Sequence, residues 1–432
     1  MTGIHEVFPA NEVNTEDAIS LKNILKGEGQ WALIKDILGF TFDGIGKTLW
    51  LEEPKREALL ATLQKWIRAA SSRTAGIPFK EFRSVIAKLW HAFTSIPAGK
   101  GLLSPCNRVI RKEPRFIYLH RNQPLLQVLK DMRTLLREST MSPTKCVELV
   151  SGWPDFVGVK DASGHGVGGV IIGENEACPP TVFRMEWPDD IKAEINSSQN
   201  RNGRLTNSDL EMAGLLLLFL VMEEVCTLKS GSHIALFSDN QPTVSWVERL
   251  AAKSSAVAGQ LVRALALRLK KKGVSPLTML HIAGEENAMT DIPSRSFGSA
   301  KKWHFKSDSD LLQYFNKNFP LPNQASWTVF RPSSAVCTKI LSVLRMQDTS
   351  MDAWRRLPKA GRHIGDIGAA MSNLWEWTLT YRTPSSTSKS GASRDLPDSA
   401  ELATTVEVNK SKVVRSLARS RPLARRSPWC IN

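Results

Sequence analysis

The sequence predicts an α/β protein: a mixed sheet flanked by helices, with a mainly helical N-terminal domain before it and a helical C-terminal region after it. Three observations carry this. Between residues 150 and 300, short apolar runs alternate with longer stretches of helical periodicity. Residues 38–145 hold one hairpin and then only helical spacing. Residues 301–382 read as helical and rich in Trp, from Trp303 to Trp377. Residues 1–37 are mixed polar and irregular. Residues 383–432 turn to Ser, Thr, Pro, Lys and Arg, a composition too poor in large apolar side chains to form a core, so this tail is expected to be disordered.

In chain order, residues 38–51 form the hairpin: Phe40 and Phe42 alternate, Asp43-Gly44 turns, and Leu49 and Leu51 alternate on the return. Pro54 then suits a helix start, with Ala58, Leu59, Leu63, Trp66 and Ile67 at helical spacing. A second helix runs from Phe79 to about Phe93, stopped by Pro97-Ala98-Gly99, and a third from Leu125 to Arg137. From 154 strands take over. Phe156 to Val159 leads into Asp161, Gly168 to Ile172 returns after a Gly-rich turn, and Thr181 to Trp187 adds another. A polar loop spans 196–206, and Asn207 or Ser208 caps an apolar helix reaching about Cys226. Strands at His233 to Phe237 and Leu277 to Ile282 alternate with helices at 243–250 and 257–272, and a last helix starts near Asn287.

The longest apolar run, Leu215 to Met222, is far short of the roughly 20 residues that cross a membrane, and the polar, acidic start is no signal segment. Cys106, Cys146, Cys178, Cys226, Cys337 and Cys430 lie far apart without zinc spacing. They read as free or buried thiols of a reducing, intracellular compartment, cytoplasm or nucleus. A net charge of +15 suits a nucleic-acid partner. The basic stretches are Arg263 to Lys272 and Lys410 to Arg426. The first is either a hybrid-binding face or a solvated helix C-terminus.

Four acids sit at the ends or starts of predicted elements: Asp161, Glu211, Asp239 and Asp291. Asp161 and Asp239 come directly off apolar strands, where a carboxylate is costly unless a cation or donor meets it. Asp209 is expected to face elsewhere, as a capping or surface acid. In-line attack on a phosphodiester needs charge neutralisation at both the attacking and leaving oxygens, which two Mg²⁺ ions held by carboxylates on rigid elements provide; Mn²⁺ can substitute.

These motifs resemble the ribonuclease H domain of retroelement reverse transcriptases. Asp161-Ala162-Ser163 with Gly166, Gly168, Gly169 and Val170 is similar to its first hairpin. Asn207 to Leu218, with Glu211, is similar to its acidic helix, and Ser238-Asp239-Asn240 to its third motif. Most specific is the last: His281 precedes Asp291 by ten residues, and Asn287 precedes Asp291 by four. The resemblance implies a ribonuclease H-like fold for 150–300 and two Mg²⁺ ions, with Asp161 bridging both. Asp291 would complete the nucleophile-side ion, and Glu211 and Asp239 would bind the leaving-group-side ion. His281 would assist proton transfer or product release, or is a packed strand-end histidine. Ser163, Asn240 and Asn287 would touch substrate, with Asn287 alternatively ordering its loop. The partner implied is an RNA–DNA hybrid. The span from Asp161 to Glu211 is longer than usual, and the excess at 174–206 reads as a tolerated insertion or, alternatively, as a loop that contacts substrate.

Residues 38–145 resemble the thumb and connection region of the same enzymes, and residues after 300 faintly resemble the region downstream of ribonuclease H in DIRS-like elements. The Asp pair of a polymerase centre is missing, since the lone Asp-Asp is Asp189-Asp190 in the nuclease-like region. No polymerase activity is therefore expected, and a polymerase part acting in trans is a partner the resemblance allows. The alternatives are an inactive nucleic-acid-binding relic and a DNA-cutting relative of the same fold.

Overall fold

A computed structural model describes residues 30, 32–150, 152–173, 178–252, 255–274, 277–297, 303–321, 325–347, 354 and 361–364. The N-terminal part opens with β1 (Ile34–Ile37), β2 (Phe40–Asp43) and β3 (Thr48–Leu51), three antiparallel strands. The expected hairpin is β2–β3, and Asp43 Oδ1 accepts from the amides of Ile45 and Gly46, both at 2.9 Å, to hold its turn. Residues 34–37, expected to be irregular, form β1 instead. Leu38 and Gly39, read as strand, are its two-residue turn, at φ 53° and 86°. A primed turn of this kind matches the twist of the strands it joins. Exposed β1 carries too little apolar alternation to announce itself.

Helices α1 (Glu53–Ala69) and α2 (Phe79–Ala92) come next, with β4 (Ile77–Pro78) between them. The chain does not stop at Pro97. It makes a 3₁₀ turn and enters α3 (Leu103–Lys112), hidden in the sequence by Gly99, Gly101 and Pro105. Then come β5 (Phe116–Ile117), α4 (Gln123–Met141) and β6 (Thr144–Lys145), which pairs with β3. Leu63, Phe82, Leu89, Leu102, Leu129 and Leu136 are among the buried side chains of their shared core.

The mixed sheet flanked by helices is present as the sequence predicts. Its strands are β7 (Phe156–Ala162), β8 (Gly166–Gly173), β9 (Thr181–Glu186), β10 (Ile234–Ser238), β11 (Thr278–His281), β12 (Thr328–Pro332) and β13 (Gly361–Ile364). Their order is β11-β10-β7-β8-β9-β12-β13. β10 runs parallel to both β7 and β11, whereas β7, β8 and β9 are successively antiparallel. β12 joins β9 in parallel, so the region after 300, read as helical, adds strands as well as helices. Its short TVFRP run lies between stretches of helical spacing, and only the open edge of β9 selects the extended form.

Between strands lie α5 (Asp189–Lys192), α6 (Asn207–Val225), α7 (Gln241–Glu248), α8 (Ala256–Lys272), α9 (Ala288–Ser294), α10 (Asp308–Asn318) and α11 (Ser334–Leu344). Nearly every side chain of α6 is buried, because the helix is apolar all round and is covered on both sides. It lies on β7 and β8 with α8 and α11 behind it, while α9 covers the opposite face of the sheet. Every residue of β8 is buried, which fits a strand covered on both faces. Among the described residues no helix is long and apolar enough to cross a membrane.

Three sequence readings change. α6 is capped by Thr206, not Asn207 or Ser208: Thr206 accepts from the Asp209 amide, and the Asp209 carboxylate accepts from the Thr206 amide at 2.9 Å. Asp209 is the capping acid expected. Cys178 and Cys226 are joined in a disulfide rather than free, an encounter across 48 residues that spacing could not reveal. Finally, the arginines of the stretch Arg263 to Lys272 face inward, while Lys271 at its end stays exposed. Arg263 pairs with Asp131 of α4, Arg268 pairs with Glu223 of α6, and Lys270 reaches Thr144 Oγ1 at 3.2 Å. Trp327 and Trp354 are core residues; Trp375, Trp377, the basic run 410–426 and Cys430 lie outside the described residues.

Candidate metal centre

Parallel pairing builds the centre. Val159 of β7 stands opposite Phe237 of β10. Continuing that register by two residues sets Asp161 beside Asp239 at the carboxyl ends of the strands, where open α/β sheets place their sites. One turn into α6, Glu211 points back at the same spot. Ligand oxygens of Asp161, Glu211 and Asp239 lie within 4.8 Å of one another, and this triad can hold a metal ion. The carboxylates edge a cavity of about 400 Å³ that Ser163, His165, Asn207, Asn240 and Arg295 also line.

Each carboxylate has a distinct setting. Asp161 is buried, and its Oδ2 accepts from Ser294 Oγ at 2.5 Å. Glu211 is buried and ion-paired through Oε2 with the ammonium of Lys160, while its Oε1 takes the Ala162 amide at 3.4 Å. Burial, and next the charge of Asp161, hold the Asp239 carboxyl above the usual carboxylate range, against the pull of Lys160 and His281. Asp291, on α9, is not one of the triad; its Oδ1 pairs with Arg295 Nε at 2.5 Å. Burial raises its pKa too; Arg295 opposes this, and Asp161 and Asp239 add to it, so the fourth acid feels the other two.

His281 ends β11 next to Asp239, with Nε2 3.0 Å from the Asp239 carbonyl oxygen. Ser163 Oγ donates to the Ser294 carbonyl at 2.8 Å and accepts from the His165 amide at 3.1 Å, so it ties the β7–β8 turn to α9. Asn240 caps α7 through the Thr243 amide at 3.0 Å, and its Nδ2 reaches Ser208 Oγ at 3.3 Å. Asn287 departs from the expected substrate contact. It is 2% exposed, its Nδ2 donates to the Lys160 carbonyl at 3.2 Å, and its Oδ1 accepts from Thr290 Oγ1 at 2.5 Å. An amide engaged on both sides orders its loop, the other reading the sequence left open. Asp190 pairs with Arg345, and Asp189 is fully exposed in its side chain, so the Asp-Asp pair lies in a surface ion-pair setting.

Sequence reading missed Lys160, His165 and Arg295. Lys160 had a usable signal: a lysine inside an apolar strand is rare unless paired. Arg295 had one too, four residues beyond Asp291 on a helix.

This geometry can be tested at Gly168 and at Asp239. A Cβ at Gly168 would come 2.5 Å from the Ser294 amide and 2.6 Å from Pro293, so strand and helix touch there through a missing side chain. Gly168→Ala is expected to push α9 away, displacing Asp291 and Ser294 together, and to weaken Mn²⁺ affinity at least about tenfold, the order of a lost outer-shell contact. Unchanged affinity in a calorimetric titration would refute this. The folded pKa of Asp239 lies above the unfolded value, so its charge destabilises the metal-free fold above that folded pKa, and the cost vanishes below the unfolded one. Asp239→Asn should therefore raise the melting temperature in EDTA at pH 7, by about 2 °C, and the gap should close on acidification. A gap that widens instead would contradict the assignment.

No family model matches the chain, and no curated protein matches it. Solved structures that share some likeness include foamy viral protease-reverse transcriptases. The one in complex with RNA/DNA hybrid has 9% identity and a TM-score of 0.24, over 71% of this chain and 39% of that one. The one with dsDNA has 10% identity and a TM-score of 0.22, over 59% and 45%. At these scores the likeness carries no argument, and the chain spans less than half the length of either.

Proposed function

We propose that the chain is a divalent-metal-dependent nuclease of ribonuclease H type that cuts the RNA strand of RNA–DNA hybrids. The observation that carries this is the convergence of Asp161, Glu211 and Asp239 in one cavity, with Asp291 electrostatically coupled to two of them. The four-motif sequence resemblance supports it independently of the geometry. In this reading residues 38–145 are the thumb and connection-like part, residues 150–300 carry the nuclease centre, and a polymerase part would act in trans.

The donor set is all carboxylate oxygen, hard ligands that suit Mg²⁺ or Mn²⁺. Asp161, Glu211 and Asp239 would hold the ion, with Asp291 completing the site once it leaves Arg295. When bound, the ion supplies charge neutralisation at the reacting phosphate and a more acidic water. The protein's own groups do the rest. Ser294 fixes the rotamer of Asp161. His281, held by the Asp239 carbonyl, would assist proton transfer or product release in this reading. Arg295, half-exposed at the cavity, offers a guanidinium to a phosphate oxygen. Ser163 and Asn240 line the path of the strand. The products would carry a 5′-phosphate and a 3′-hydroxyl, and the 2′-hydroxyl would mark the RNA strand.

Incubating the chain with labelled hybrid, double-stranded RNA and double-stranded DNA, with Mg²⁺ or EDTA, tests the reading. Mg²⁺-dependent loss of only the hybrid's RNA is expected. Binding without cleavage would favour a nucleic-acid-binding relic, and cleavage of duplex DNA a DNA-cutting relative.

A further inference from the structure

We infer that Arg184 of β9 is a positioning residue of the metal centre: it fixes the end of α9, and with it Asp291 and the Ser294 hydroxyl that holds Asp161. The link to the metal rests on the proposed metal-dependent reading; the hold on α9 does not.

Strand register sets up the contact. Gly168 of β8 stands opposite Asp161 on one side and opposite Arg184 on the other. Residues directly opposite in antiparallel strands share a face, so the three form a row across the sheet. The end of α9 lies along that row. Asp161 accepts from Ser294 Oγ at 2.5 Å, and Gly168 leaves the room that lets Pro293 and Ser294 approach. Arg184 Nη1 donates to Ser296 Oγ at 2.9 Å. The buried Ser296 hydroxyl donates in turn to the Pro293 carbonyl at 2.9 Å. Arg184 therefore grips, through one hydroxyl, the backbone beside Ser294. Asp291 belongs to the same seven-residue helix, too short for one end to shift without the other.

The rest of the guanidinium is engaged by the region after residue 300. Nη2 donates to the carbonyls of Phe305 at 3.3 Å and Ser307 at 3.4 Å, and lies 3.7 Å from Asp308 Oδ1. Asp308 opens α10 and accepts from Arg331 Nε of β12 at 2.8 Å. The rings of Phe297 and Phe305 lie 5.3 and 5.7 Å from Arg184 Cζ. Phe297 in turn packs on Gly166, where a Cβ would come 2.4 Å from its ring. A planar fork serves acceptors in several directions at once, which the single ammonium of a lysine does not. With its side chain only 11% exposed, Arg184 joins β9, α10 and β12 to α9.

The full chain and its Arg184→Lys and Ser296→Ala variants should be compared by amide hydrogen exchange without metal and by Mn²⁺ calorimetry. The first variant keeps a charge beside Asp308 but loses the fork, and the second removes only the hydroxyl. Each is expected to speed exchange in residues 288–296 about tenfold, with β7 and β10 unchanged. Each is also expected to weaken Mn²⁺ binding about tenfold. The double variant should do no worse than Arg184→Lys alone, since both act through one contact. Exchange that rises evenly across the chain would make Arg184 a general stabiliser, against the inference. Unchanged exchange in 288–296 would refute the hold on α9, and faster exchange with unchanged Mn²⁺ affinity would refute positioning. No Mn²⁺ bound by the unaltered chain would overturn the metal-dependent reading and the link to it, while the exchange pattern still decides whether Arg184 holds α9. Should Arg184→Lys not fold, Ser296→Ala, which removes a single buried oxygen, decides both measurements.

Discussion

Asp161→Asn is expected to lower hybrid cleavage by about 10³-fold while leaving the fold and hybrid binding in place. The substitution keeps the shape of the side chain and its contact with Ser294 but removes the charge. Asp161 lies beside Asp239, shares the triad with Glu211, and acts on the titration of both Asp239 and Asp291, so no other position touches as much of the centre. A metal-ion contribution of several kcal/mol to transition-state charge, of which about 4 kcal/mol is lost here, corresponds to that factor. The same variant should lose the Mn²⁺-induced rise in melting temperature, which for a site saturated a hundredfold above its Kd is worth about 2.7 kcal/mol. A variant that keeps more than a tenth of the cleavage rate would remove Asp161 from the centre of the mechanism.

Arg268→Ala should cost about 4 kcal/mol of stability, roughly 10 °C in melting temperature, without any contact with the cavity. Arg268 of α8 donates to both oxygens of Glu223 on α6 and, at 3.0 Å, to the carbonyl of Trp354. Both partners are buried. Burial already holds the Glu223 carboxyl above its ordinary range, with Arg268 opposing. Without Arg268 that pKa rises further. The sign then fixes the pH dependence: the charged Glu223 penalises the fold above its folded pKa and stops doing so below the unfolded value, near 4.3. The deficit against the unaltered chain should thus shrink from pH 8 towards pH 5. The apolar pair Glu223→Met/Arg268→Met should recover most of the loss, because a buried ion pair is replaceable as a unit. Melting within a degree of the unaltered chain would show that water reaches Glu223.

These two sites differ in how far the sequence announces them. Asp161 and Asp239 are legible because a carboxylate closing an apolar strand is conspicuous, and the His281, Asn287 and Asp291 spacing is local. The strands and long helices between 156 and 294 are legible for the same reason: their periods are intact. What stays hidden depends on partners far along the chain. Lys160 makes sense only once Glu211 is beside it, the Cys178–Cys226 bond spans two elements, and the arginines of α8 face inward only because α4 and α6 supply Asp131 and Glu223. Strand β12 is hidden because its neighbour β9, not its own pattern, extends it. The cap of α6 lies one or two residues before the Asn207 or Ser208 that the sequence suggests, because all three are good caps and only the reciprocal bond from Asp209 to Thr206 decides among them.

The parallel pairing of β12 with β9, tied by Thr181 and Thr328 through their hydroxyls at 3.1 Å, has a consequence during synthesis. The elements that carry the acidic triad are all made by residue 281, yet one side of β9 stays bare until residues 328–332 leave the ribosome. At 5–20 residues per second, that leaves an unpaired strand on the nascent chain for on the order of ten seconds. In that interval another nascent copy can pair where β12 belongs. Chains cut short near residue 300 would keep that bare edge permanently and are expected to collect in the insoluble fraction, although every carboxylate of the centre is present.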